Sequence, residues 1–124
     1  MTTPILLIHG LFGSLSDAHI VAAFGATPVL APDLLGYGEY RSADTDGLTL
    51  EAQADHVAAW LRQRGDAAAH VVGHSVGGAV AMCFASRHPE LTRSLTSIEG
   101  NFTLKDAFWS SQIAQMALPE VQAI

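Results

Sequence analysis

The sequence predicts an α/β fold, a parallel sheet with helices on both faces, and three features predict it. Short apolar runs such as Pro4-Ile5-Leu6-Leu7-Ile8 lack polar alternation, as strands buried on both faces do. Longer stretches with a helical spacing of apolar residues separate those runs, and Gly and Pro punctuate the junctions. The resulting order βαβαβαβ implies parallel strands joined by right-handed crossovers.

The first strand, 4–8, runs into His9-Gly10-Leu11-Phe12-Gly13-Ser14, a glycine-rich turn. Ser16-Asp17 can cap a short helix over 18–24 that Gly25 ends. A second strand over 27–31 closes on Pro32-Asp33 and leads into a loop carrying Gly36 and Gly38. After the polar stretch Asp44-Thr45-Asp46-Gly47, Thr49 precedes an amphipathic helix. Leu50, Ala54, Val57, Ala58 and Leu61 share its apolar face, Glu51, Asp55, Arg62 and Arg64 lie elsewhere, and Gly65 stops it. His56 on this helix is expected to be exposed and not a ligand. The third strand holds 70–73, an apolar helix spans 76–87 and ends at His88-Pro89, and the fourth strand spans 92–98.

Residues 101–124 form a separate stretch beside the core of residues 1–100. Thr103-Leu104-Lys105-Asp106 resembles a capping box with Asp for the usual Glu or Gln, and a helix of about a dozen residues should follow. Its Phe108, Trp109, Ile113 and Met116 either pack against the core or an interface, or line a pocket.

The strongest chemical signal is Gly73-His74-Ser75-Val76-Gly77, one serine between two glycines at a strand-to-helix junction. A chain turning that sharply strains its turn residue, and small residues two before and two after keep strand and helix from colliding. Ser75 would stand at the top of the sheet, and the helix it opens would aim backbone N–H groups at developing negative charge. A glycine-rich turn holding an ordinary serine is the simpler reading. The apolar strand before it and the small-residue helix after it favour a nucleophile.

Two further motifs stand in order with this one: His9-Gly10 at the end of the first strand, and Asp33-Leu34-Leu35-Gly36-Tyr37-Gly38 after the second. Together the three resemble the α/β-hydrolase superfamily, whose members carry them at about this spacing, and the resemblance covers Pro4 to about Glu99. Tyr40 departs from the serine that often closes the second motif. The resemblance implies a partial fold of about four strands, ordered second, first, third, fourth, that is the N-terminal half of an esterase-like, lipase-like or dehalogenase-like core. It implies Ser75 as nucleophile, with the N–H groups of Leu11 and Val76 as the oxyanion hole. His9 itself is read as a packed strand-end residue. Residues 101–124 would begin a lid or cap.

A serine needs a base, and the base needs an acid to orient it. Glu99, after the fourth strand and freed by Gly100, is the candidate acid, or else a loop residue capping the stretch that follows. None of His9, His19, His56, His70, His74 and His88 occupies the place after a last strand where the family keeps its base. The expectation is an incomplete site with weak turnover, and a fourth strand open to self-association. Serine at the bend favours a small apolar ester or related acyl compound, with lactone opening, perhydrolysis and carbon–carbon hydrolysis using the same parts. The alternative is a non-catalytic remnant that binds a partner or ligand.

Composition narrows the classes further. A net charge of −6 with six Lys and Arg argues against nucleic acid as a partner. Met1-Thr2-Thr3-Pro4 carries no charged leader, and no apolar run reaches the ~20 residues of a membrane span. One cysteine, Cys83, excludes an internal disulfide and fits a cytoplasmic setting. No strand leads into G-x-G-x-x-G, so no nucleotide cofactor is expected.

Overall fold

The computed structural model describes residues 2–11, 13–65 and 68–99. The segment 101–124, with its expected helix, lies outside the described residues. Four parallel strands, β1 (Ile5–Ile8), β2 (Val29–Leu30), β3 (Ala69–His74) and β4 (Thr92–Ile98), form one sheet in the order β2-β1-β3-β4. Among the described residues three α-helices connect them: α1 (Ala18–Ala22), α2 (Leu50–Gln63) and α3 (Val76–Arg87). β2 lies on one side of β1 and β3 on the other, so right-handed crossovers put α1 on the face opposite α2 and α3.

β1 is the centre of the sheet because Leu6, Leu7 and Ile8 are buried on alternating faces. On the α2–α3 face, Leu6 and Ile8 join Val71, Val57, Leu61, Val80 and Phe84 in the core. α3 lies across β1, β3 and β4 and packs against α2. β2 is shorter than the sequence suggests, pairing with β1 only at Val29 and Leu30, and Pro32 beyond it has no N–H with which to extend the ladder. β4 is the edge strand among the described residues, and Leu95 and Ile98 stand exposed on it.

α2 starts as its sequence dictates, the Thr49 hydroxyl accepting from the Ala52 N–H at 3.0 Å. Its buried stripe is Gln53, Ala54, Val57, Ala58 and Leu61. Leu50, assigned to that face by its spacing, is 40 % exposed in the first turn, and Gln53 takes the buried place. The reason is chemical: the Leu35 N–H donates to Gln53 Oε1 at 2.9 Å, and Gln53 Nε2 donates to the Leu35 carbonyl at 3.1 Å. A buried amide with both ends satisfied is tolerated where a lone one is not.

Candidate active site

Ser75 is the single residue between the end of β3 and the start of α3, so it alone absorbs the change of direction. It adopts φ 58° and ψ −127°, a region that costs a residue with a side chain on the order of 1–3 kcal/mol. Neighbouring backbone holds the bend. The Ser75 N–H donates to the Ile98 carbonyl at 2.9 Å, tying the bend to the end of β4, and the Gly78 N–H donates to the Ser75 carbonyl at 2.9 Å.

The flanking glycines are required by contact. A Cβ on Gly73 would strike the Gly77 carbonyl and stand 2.7 Å from the Gly78 Cα. One on Gly77 would strike the carbonyls of Ile8 and His9, at the end of β1. Glycine therefore lets α3 press against two strands at once.

The turn after β1 meets this bend directly. A Cβ on Gly10 would lie 2.8 Å from the Ser75 Cβ, 3.0 Å from the His74 carbonyl oxygen and 3.3 Å from the Ser75 Oγ. The turn closes through the Gly13 N–H on the Gly10 carbonyl at 3.1 Å, with Leu11 inside it.

His9 is fully buried beneath. Its Nε2 accepts from the Leu34 N–H at 3.0 Å, so the ring proton sits on Nδ1, which donates to the Gly10 carbonyl at 2.8 Å. Burial lowers its pKa, and the Gly10 hydrogen bond and the Asp33 charge oppose that only in part. The neutral, packed imidazole agrees with the strand-end role read from the sequence.

The loop after β2 braces the same region. The Glu39 N–H donates to Asp33 Oδ2 at 3.2 Å, and Gly38, at φ 51°, approaches the Asp33 carboxylate so closely that any side chain there would collide with it. Tyr37 donates its hydroxyl to the Leu11 carbonyl at 3.0 Å, and burial raises its pKa, which keeps the proton in place. His56 is not the exposed residue that its helix position suggested. It is half-buried, its Nε2 donates to the Asp33 carbonyl at 2.9 Å, and the Tyr40 ring meets it edge-on at 4.4 Å.

Glu99 follows β4 immediately, at φ 52°. Its Oε2 lies 3.6 Å from His74 Nε2, and its side chain is 81 % exposed. Because β1, β3 and β4 are parallel, Leu11, Ser75, Val76 and Glu99 all gather at one edge of the sheet, the carboxyl ends of its strands, where open α/β sheets bind ligands. Other imidazoles are engaged elsewhere: His70 Nδ1 with the Ser94 hydroxyl at 2.7 Å, and His88 Nε2 with Asp55 Oδ1 at 2.8 Å. Among the described residues no group of three His, Cys, Asp or Glu is placed to hold a metal ion, and no helix is long and apolar enough to cross a membrane.

A family model described as alpha/beta hydrolase fold matches residues 3–122. This chain belongs to the alpha/beta hydrolase fold family. Among curated proteins, it is 32 % identical over 112 residues to Lipase 1 of Psychrobacter immobilis, covering 89 % of this chain and 34 % of that one. It is 38 % identical over 96 residues to Lipase LipV of Mycobacterium tuberculosis, covering 77 % and 36 %. In fold, this alpha/beta hydrolase chain is similar to a marine microorganism esterase, with a TM-score of 0.75 at 22 % identity over 97 % of this chain and 49 % of that one. The chain spans about a third of the length of the curated relatives it matches.

Proposed function

We propose that the chain carries the nucleophile half of a serine hydrolase acting on a small apolar ester or related acyl compound. The observation that carries this reading is the contact of Gly10 with Ser75, which sets the turn after β1 beside a serine held in a strained bend. In the proposed reaction the Ser75 oxygen attacks the acyl carbonyl carbon, and the carbonyl π pair moves onto its oxygen. The N–H groups of Leu11 and Val76 receive that oxyanion, aided by the partial positive charge at the start of α3. Loss of one such donor typically costs about 10²–10³ in rate. The hydroxyl proton passes to an imidazole and then to the departing alkoxide, and water releases the acyl group by the same steps in reverse.

Glu99 is the proposed acid that orients this imidazole, on the strength of its place at the same sheet edge and of the carboxylate it already turns toward a histidine, His74. The imidazole itself is proposed to come from outside this sequence: the described contacts commit His9, His56, His70 and His88 to other partners, His19 lies on α1, and His74 ends β3 directly before Ser75.

Hydrolysis of p-nitrophenyl butyrate by the purified protein and by Ser75→Ala tests this reading. Weak hydrolysis by the parent that is lost in Ser75→Ala supports it, the large losses seen when a nucleophile is removed from an intact triad not being expected of a chain that lacks the base. Equal rates from both contradict it. Absence of turnover from either, together with no fluorophosphonate adduct on Ser75, favours a binding module that uses the β4 edge.

A further inference from the structure

The proposed oxyanion donor, the Leu11 N–H, lies on a turn, and a turn has no ladder to fix its direction. Its direction is nevertheless determined on both sides. The Leu11 N–H shares a peptide plane with the Gly10 carbonyl and points opposite to it. That carbonyl accepts from His9 Nδ1 and from the Gly13 N–H, which aims the amide away from both. The second peptide of Leu11 is held by a different element: its carbonyl accepts from the Tyr37 hydroxyl at 3.0 Å.

Tyr37 is suited to hold a position, because it is itself held. Its N–H donates to the Leu34 carbonyl at 3.0 Å, and its carbonyl accepts from the Tyr40 N–H at 2.8 Å. Its ring meets His9 edge-on at 4.7 Å, and a Cβ on Gly13 would stand 3.7 Å from its Cδ1. The loop behind it is fastened to α2 through Gln53 on Leu35 and His56 on Asp33. A chain of direct contacts thus runs from α2 through the loop after β2 to the turn beside Ser75.

We infer that Tyr37 is a positioning residue for the Leu11 N–H, fixing the oxyanion donor through the Leu11 carbonyl. This inference rests on the proposed serine-hydrolase reading. Tyr37 touches no reacting atom, so its effect belongs to the transition state and not to ground-state binding. Tyr37→Phe keeps the ring against His9 and Gly13 and removes only the hydroxyl.

The test measures kcat and KM of Tyr37→Phe on p-nitrophenyl butyrate, inhibition by an alkyl trifluoromethyl ketone, whose serine adduct bears an oxyanion, and hydrogen exchange at the Leu11 amide. Ser75→Ala is measured beside it. Expected are a fall in kcat on the order of 10-fold, an unchanged KM, an equal rise in the ketone inhibition constant and faster Leu11 exchange. Unchanged kcat and ketone inhibition, a rise in KM alone, or unaltered Leu11 exchange would each overturn the role of Tyr37 while leaving Ser75 intact. Wild-type turnover in Ser75→Ala would overturn the hydrolase reading itself, and the inference with it.

Discussion

Gly10 packs directly on Ser75, so closely that one added methyl group would stand 2.8 Å from the serine Cβ. Two strand ends 65 residues apart in sequence therefore share one contact, and the first prediction follows from it. Gly10→Ala forces the turn away from Ser75. Overpacking of this kind costs about 1–3 kcal/mol, and displacement of the Leu11 amide should lower kcat by ~10²-fold. Urea unfolding and ester turnover measure the two effects, and wild-type turnover in this variant would contradict the arrangement.

Ser75 occupies a conformation that glycine adopts freely, so Ser75→Gly should raise stability by about 1 kcal/mol while removing the hydroxyl. Ser75→Ala removes the same hydroxyl and keeps the strain. A higher urea midpoint for Ser75→Gly than for both the parent and Ser75→Ala is the expected order. No difference between the two variants would mean that the bend stores no strain.

Gln53→Leu is close in volume but orphans the Leu35 N–H and carbonyl, at a cost of roughly 1–3 kcal/mol. Because the loop after β2 braces the turn beside Ser75, turnover should fall as well. Circular-dichroism melting and ester turnover report the two losses, and a variant as stable as the parent would show that the Gln53–Leu35 pair carries no weight.

Two groups give stability a pH dependence in separate windows. His9 has a folded pKa depressed by burial, so below its ordinary value of about 6.5 the unfolded chain binds a proton that the folded one refuses. Its contribution is intact above about 6.5 and declines as pH falls toward the depressed value. Asp55 is held down to about 2 by its hydrogen bonds to Arg87 and His88, so its contribution is intact above 3.8 and lost as pH falls toward 2. Urea midpoints should fall from pH 7 to 5, and His9→Gln should flatten that decline. A profile equally steep in His9→Gln would contradict the assignment to His9.

The fold was legible where local pattern and tertiary demand agree. The limits of α3 and β4 match the sequence reading, because an apolar helix opening on glycines and a run of β-compatible residues have few alternatives. β2 is shorter than its apolar pattern suggests because it pairs with β1 at only two residues, Val29 and Leu30. Leu50 and His56 depart from their expected exposure for a different reason, and Gln53, which the spacing did not single out, takes the buried place. Helical periodicity reports which way a side chain faces, but the buried Gln53 and the half-buried His56 are drawn inward by hydrogen bonds to backbone groups 18 and 23 residues away. Tyr37 was likewise invisible as a partner of Leu11, since the pairing spans 26 residues of chain.

Stoichiometric labelling with a fluorophosphonate, located by mass spectrometry of the digested protein, tests the proposed role of Ser75 most directly. One adduct per chain on the peptide containing Ser75, absent in Ser75→Ala, is the expected result. An adduct on another serine, or equal labelling of the parent and Ser75→Ala, would contradict it.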